Sequence, residues 1–483
     1  MGRVTREAPD WSALAASIEG EVVRPGTPGY DDARRPAVPA LDQPRPAAVL
    51  RCQGPGDVAA VVEFARRFGV PVAVRSGGHC FGGRSSTPGI VLDVSAMRSV
   101  EAGGDVATIG GGTRLGEVYD TLAARGRTVP AGCGPTVGIS GLTLGGGLGI
   151  LGRTYGLTCD NLLAAEVVLA DGRVVRCDDE HEAELFWALR GAGGGGFGVV
   201  TSMVFRTFPA PTSTGFHLRW PFSSAEAVIA AWQAFAPAAP DELAASLVVR
   251  APAERGREPT VNVFGAMTGP RSDAAGLLDE LVARVGVDHA HEDLREQPYR
   301  ETKRFLTEVG ARFEGGPVPG TEPAPAGPAP AEEGVPFSKS EYFRRELPPD
   351  AISALVAGLV ADRVEGASRE LDFSPWSGAY NRRAEDATAF VHRRESFLLK
   401  QAVVVEPQLP DESRRAERAW LRQSWGIAHT WGTGGVYPNF PDLELADWAR
   451  AYHGSNARRL ARIKAAYDPD GFFAGPQSIS PAP

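Results

Sequence analysis

Apolar positions along the chain switch between two spacings, and the switch points mark the elements. Val58, Val61, Val62 and Ala65 recur at the three- and four-residue spacing of one helix face, with Asp57 placed to cap that helix and Gly69 to end it. The apolar run at 70–75 then predicts a buried strand, and 90–94 and 106–109 read the same way. Residues 166–170 and 173–176 flank Asp171-Gly172, a hairpin turn signature. Beyond residue 210, strand-like runs at 215–220, 247–250 and 261–265 alternate with helical stretches at Ala225–Phe235 and 274–285. That alternation predicts a second sheet with helices on one face. Segment 448–467 is helical again and stops before Pro469. The expected class is α+β.

Length changes this picture by requiring division, because 483 residues exceed what one core supports. The stretch 313–336 is rich in Pro, Gly, Ala and Glu and reads as a surface loop. Net charge is −9 with no long basic run, which argues against nucleic-acid or anionic-membrane partners. No apolar run approaches the ~20 residues of a membrane span. Cys52, Cys80, Cys133, Cys159 and Cys177 are odd in number and lack CxxC spacing, against a disulfide framework or a zinc site. A reducing cytoplasm fits that usage, and a monomer or homodimer is expected.

Three glycine clusters carry the chemical signal: Arg75-Ser76-Gly77-Gly78-His79-Cys80-Phe81-Gly82-Gly83, the tract 131–149, and Arg190-Gly191 through Gly198. Bare backbone lets N–H groups converge on phosphate oxygens, and three such loops within 125 or so residues point to a phosphate-bearing cofactor. Gly147-Leu148-Gly149-Ile150-Leu151-Gly152 matches GxGxxG, but it lies inside a longer glycine tract and runs into a turn. A dinucleotide fingerprint requires a strand before it and a long helix after it. The Rossmann reading therefore fails on context.

These residues resemble the FAD-linked oxidases of the berberine bridge enzyme type, within the vanillyl-alcohol oxidase superfamily. Arg75-Ser76-Gly77-Gly78-His79 resembles the family's R-S-G-G-H loop, and Pro135-Thr136-Val137-Gly138 followed by Gly145-Gly146-Gly147 resembles its P-T-V-G…G-G-G segment. Tyr155-Gly156-Leu157-Thr158-Cys159-Asp160-Asn161 resembles Y-G-L-x-x-D-N, and Tyr437-Pro438-Asn439 resembles the start of Y-x-N-Y. The closing helix and tail, at 452–460 and 467–473, complete a match in order from about residue 30. The resemblance implies a PCMH-type FAD-binding domain at 1–210 (core about 42–210). It also implies a substrate domain at 211–425 with an antiparallel sheet under helices, and a return at 426–483.

The resemblance further implies FAD joined covalently to His79 and contacted by Arg75, Ser76, Gly77, Gly78 and Cys80. The second segment adds Cys133, Thr136, Val137, Gly138, Ser140, Gly141, Gly145, Gly146, Leu148 and Gly149. Asp160, Asn161, Gly198, Val199, Val200 and Asn439 complete the set. Many relatives attach a second bond from a cysteine directly before P-T-V-G. Gly134 stands there in this chain and Cys133 lies one residue earlier, so a single bond through His79 is expected. Gly196 replaces a frequent asparagine, and Val137 falls at a gatekeeper position whose small size favours access of dioxygen. Gln401 and Tyr437 are the candidate catalytic residues by resemblance. Phe440 replaces the second tyrosine of Y-x-N-Y and has no hydroxyl to act as acid or base. Tyr155, Tyr380 and His392 are the remaining polar candidates for the base.

The expected activity is oxidation of a small molecule (sugar, alcohol, alkaloid or other secondary metabolite) at a C–H bond beside O or N, with dioxygen as acceptor. A dehydrogenase using another acceptor, and a flavin-loaded protein with a non-redox cyclase or binding role, stand beside it.

Overall fold

The computed structural model describes residues 8–40, 43–314 and 334–483. Three sheets organise them, and the predicted strands fall in all three. In the first, Glu21–Val23, Ala48–Arg51, Ile90–Asp93 and Val72–Arg75 lie in that order, the last three parallel. The helix Pro55–Phe68 carries the chain from Ala48–Arg51 past Ile90–Asp93 to the parallel strand Val72–Arg75, with Val58, Val61, Val62 and Ala65 completely buried. That helix starts one turn earlier than expected. Pro55 occupies its first turn after Gly54, so Asp57 lies inside the helix rather than at its cap. The Asp57 carboxylate instead accepts N–H bonds from Gln53 (2.8 Å), Glu19 (2.8 Å) and Gly20 (3.0 Å), fastening the N-terminal segment to the helix. Gly69 ends the helix in the left-handed region, as its position predicts.

The second sheet is antiparallel, in the order Val100–Gly103, Val106–Gly110, Val199–Arg206, Leu162–Val168, Val174–Cys177. Its last two strands are the hairpin predicted around Asp171-Gly172.

The third sheet has seven antiparallel strands: His291–Pro298, Thr212–Pro221, Thr260–Thr268, Leu243–Ala251, Ala367–Pro375, Phe397–Val405 and Val335–Phe343. Side chains alternate between its faces. Phe216, Leu247, Val263, Leu371, Phe373, Leu399 and Val403 point to one face, where they share a core with helices Ala225–Phe235, Arg271–Val285, Pro349–Val360 and Asp411–His429. The expectation of helices on one face holds for these four. Helix Tyr299–Glu314 lies against the opposite face, with Phe305 and Thr302 beside Gly215 and its Lys303 reaching the tract at 131–133. Residues 315–333 of the expected surface loop lie outside the described residues; its ends belong to helix Tyr299–Glu314 and strand Val335–Phe343.

The C-terminal segment folds back onto the first two sheets. The helix predicted at 448–467 is two, Trp448–His453 and Ala457–Tyr467, broken at Gly454, whose φ of 48° leaves the helical region. Leu460 and Ile463 enter the core under the second sheet and Phe473 the core under the first. Among the described residues no helix is long and apolar enough to cross a membrane.

Candidate functional site

The glycine loops meet in one place. Strand Val72–Arg75 delivers Ser76-Gly77-Gly78-His79 against Thr136-Val137-Gly138, backbone on backbone. A Cβ on Gly77 would lie 2.3 Å from the Gly138 nitrogen, and one on Gly138 would lie 2.3 Å from the Ser76 Oγ. Ser76 and Ser140 both donate their hydroxyls to the Gly111 carbonyl (2.9 and 2.6 Å), which fixes the two loops to a common point. His79 sits at this junction, its Nε2 sharing a hydrogen bond with the Thr136 hydroxyl at 3.0 Å. Burial, and secondarily the Arg114 cation, push the imidazole down to about 4. It is neutral at physiological pH and keeps the lone pair a nucleophile needs.

Next to this junction the backbone is bare. An added Cβ at Gly141, Gly193, Gly195 or Gly196 would meet nothing within 4 Å, and at Gly194 only the Gly141 Cα at 4.0 Å. Gly141 and the 193–196 loop thus border a slot of open space that no side chain among the described residues fills. The slot and the neutral imidazole suit an elongated cofactor with a phosphate bridge and an electrophilic carbon, so the residues present fit FAD. The second glycine tract is held from the C-terminal side. Tyr437 is buried and its oxygen accepts from the N–H groups of Gly147 (2.9 Å) and Leu148 (3.2 Å) and from the Asn439 amide (3.1 Å). Asn439 also donates to the Leu142 carbonyl (2.9 Å). Burial raises the Tyr437 phenol to about 12, so it holds its proton at neutral pH.

Several residues expected at the cofactor are committed elsewhere. The Arg75 guanidinium binds the Asp93 carboxylate (2.9 Å) and the carbonyls of Ala33 and Arg34, so its role is to lock the strand ends beneath the loop. Asp160 receives two bonds from the fully buried Arg393 (2.7 and 2.8 Å), and Asn161 donates to the carbonyls of Tyr155 and Leu157. Val199 and Val200 lie in the cores under the two small sheets, and Gly198 packs on Val167. Of the remaining candidates for the base, Tyr380 exchanges hydrogen bonds with the Gly149 backbone, Tyr155 stacks on Phe208 at 3.9 Å, and His392 stacks on Tyr342 while its buried Nε2 has no hydrogen-bond partner.

Cys133 faces helix Tyr299–Glu314. Its Sγ lies 3.8 Å from the Nζ of the buried Lys303, which also donates to the carbonyls of Ala131 (2.7 Å) and Gly132 (3.2 Å).

Gln401 requires a correction. It is completely buried on the helix-covered face of the seven-stranded sheet, in line with Leu399 and Val403, and neither end of its amide has a hydrogen-bond partner. The strand alternates with period two, so the face turned to the glycine loops belongs to the neighbours Leu398, Lys400 and Ala402. Leu398 proves the direction, since it packs with Tyr437, Phe390 and Leu157. Lys400 on that face pairs with Asp372 (3.0 Å) and Glu370 (3.3 Å), and Arg250 pairs with Glu370 (3.2 Å). The Lys400 ammonium stands 5.3 Å over the Phe440 ring, which meets Tyr437 edge-on at 5.0 Å and Phe81, two residues past His79, at 5.9 Å. The sequence reading missed this quartet. Its signal is the alternation of charge with apolar residues in Glu370-Leu371-Asp372-Phe373, which marks a strand with one polar, partly enclosed face.

Comparison with known proteins follows the same lines. Residues 46–178 match the family model described as FAD binding domain, and 436–480 the one described as berberine and berberine like. The chain is 32% identical over 473 residues to the FAD-linked oxidoreductase YvdP of Bacillus subtilis, covering 97% of this chain and 99% of that one. It is 30% identical over 460 residues to chitooligosaccharide oxidase of Gibberella zeae, covering 90% and 87%. The structure is similar to that of glucooligosaccharide oxidase from Acremonium strictum, described as holding a 6-S-cysteinyl, 8α-N1-histidyl FAD. That likeness has a TM-score of 0.83, 26% identity and coverage of 98% and 99%. The α+β class with a PCMH-type FAD-binding unit is the fold of these neighbours.

Proposed function

Because the chain belongs to the berberine bridge enzyme-like FAD-linked oxidoreductases, we propose that it is an oxidase with FAD tethered to His79, removing hydride from a C–H bond beside O or N of a small molecule and passing the electrons to dioxygen. The observation that carries this reading is the neutral, buried imidazole of His79 beside a slot of bare backbone. When bound, FAD supplies acceptance of two electrons as hydride and their return to oxygen as hydrogen peroxide.

The chain's own residues do the rest. His79 is the nucleophile that forms the tether, and Thr136 orients its ring. Gly141 and the 193–196 loop leave the slot open. Tyr437 and Asn439 brace the tract at 142–148 and thereby set its backbone N–H groups. Val137 leaves room near the junction for oxygen. One covalent bond is proposed, since the Cys133 sulfur is directed to Lys303. The N-terminal 1–210 and C-terminal 426–483 segments would hold FAD and the central 211–425 segment the substrate. The oxidase names among the relatives favour a sugar, with alcohols, alkaloids and other secondary metabolites as the wider class. Five free cysteines favour the cytoplasm.

Mass spectrometry of the denatured, purified chain tests the tether. A single added FAD on the peptide containing His79 is expected, and a colourless chain that takes up no FAD refutes the proposal. A panel of cellobiose, xylobiose, chitobiose, alkaloids and polyketide alcohols, read by anaerobic bleaching and by peroxide in air, ranks the substrates. Slow reoxidation in air assigns a dehydrogenase instead.

A further inference from the structure

Lys303 is a buried amine that the proposed reaction does not use. It stands on helix Tyr299–Glu314 beside the seven-stranded sheet, yet its ammonium is directed at the second glycine tract. Its acceptors are the carbonyls of Ala131 (2.7 Å) and Gly132 (3.2 Å) and the Sγ of Cys133 (3.8 Å). The rings of Tyr119 and Tyr299 enclose it at 4.7 and 5.2 Å. Of the three acceptors, the sulfur is the one that can become an anion. The chain has four lysines, and Lys339, Lys400 and Lys464 are each ion-paired with a carboxylate. The thiols differ in a similar way. Cys52, Cys159 and Cys177 are buried, and desolvation raises all three, whereas Cys133 is half-buried against an amine. Resting on the oxidase reading above for the source of peroxide, we propose that Cys133 and Lys303 are a modification site, which hydrogen peroxide joins into a sulfur–nitrogen cross-link.

The link forms in two steps. The Cys133 thiolate attacks one peroxide oxygen: an S–O bond forms, the O–O bond breaks, and two electrons pass from sulfur to peroxide. The hydroxide released takes a proton from the Lys303 ammonium and leaves as water. The neutral amine then attacks the sulfenic sulfur: an N–S bond forms, the S–O bond breaks, and hydroxide departs with an amine proton as a second water. No further oxidant is consumed. Burial lowers the Lys303 pKa, with Cys133 opposing, and so favours the neutral amine of the second step. The flexible four-carbon stem of lysine lets the contact close to a bond. Tyr119 holds the tract side in place by donating to the Gly132 carbonyl at 2.7 Å. The product ties residues 170 apart in sequence and fastens helix Tyr299–Glu314 to the segment that leads into Thr136, the partner of His79.

The test treats purified holoenzyme with a small molar excess of hydrogen peroxide, without substrate, and maps its tryptic peptides by mass spectrometry. A cross-linked species joining the Cys133 and Lys303 peptides is expected, two hydrogen atoms lighter than their sum and separated again by dithiothreitol. Lys303→Arg keeps the positive charge but removes the amine, so the sulfenic acid should persist there and be trapped by dimedone at Cys133. Wild-type peptides that stay separate, with Cys133 unmodified, carried on to sulfinic acid or attached to the flavin, overturn the inference. A bridge that retains an oxygen atom also overturns it. The wild-type map decides the matter by itself if Lys303→Arg fails to fold. Because the peroxide is added, the result does not depend on turnover. A holoenzyme that makes no peroxide refutes the oxidase reading and leaves the cross-link standing, while a missing cross-link leaves the oxidase reading untouched.

Discussion

At the scale of single residues the site depends on which groups are charged. His79 is usable because burial holds it neutral. His79→Ala should leave a protein that binds FAD without a bond, so that the flavin separates from the denatured chain on a gel or in the mass spectrum. Elsewhere the same low-dielectric interior makes charge pairs unforgiving. Asp160 and Arg393 are both fully buried and doubly hydrogen bonded. Removing one charge of such a pair strands the other. Asp160→Asn should lower stability by about 3 kcal/mol or more, measured by urea unfolding of the holoenzyme. The Tyr155–Asn161 motif is thus a brace between the second glycine tract and the loop at 388–393, although in the sequence it reads as a cofactor contact.

At the scale of elements the decisive features are backbone without side chains and strands with two unlike faces. Gly141 lies in the short helix Ile139–Leu144 with open space where its Cβ would be. Gly141→Val should therefore fold, because nothing in the chain is displaced, while the branched side chain fills the slot. The expected result is an unchanged or slightly higher melting temperature of the apoprotein together with a fall in the flavin-to-protein ratio. The seven-stranded sheet makes the complementary case. Its elements were legible from hydrophobic runs, and Thr212–Pro221, Leu243–Ala251 and Thr260–Thr268 contain the predicted cores of those strands. Which of Lys400 and Gln401 faces the cofactor side was not legible. A shift of one residue exchanges the faces, and both residues are polar.

For the whole molecule, folding buries histidines that the unfolded chain exposes. His392 and His453 are both buried, and desolvation lowers them to about 3 and about 4. Their folded values lie below the unfolded value near 6.5, so the unfolded chain binds more protons in between. Stability is then full above about pH 6.5 and falls as pH decreases toward 4, by about 1.4 kcal/mol per pH unit for each group. Melting temperatures measured from pH 8 to 4 should show this acid-side decline, and His392→Phe should reduce its slope if the stacked ring is kept.

The sequence by itself determined the α+β class and most element positions, which depend on local periodicity, and its glycine loops pointed to a phosphate-bearing cofactor; FAD, and His79 as its expected tether, came from the resemblance of its motifs to a family. Only the tertiary structure decided which polar residues converge. Gln401 went to the helix-covered core, Arg75 and Asp160 went to ion pairs, and Glu370, Asp372, Lys400 and Arg250 came together from three strands. Burial and pairing depend on strand register and sheet order across more than a hundred residues of chain, and no local pattern records them.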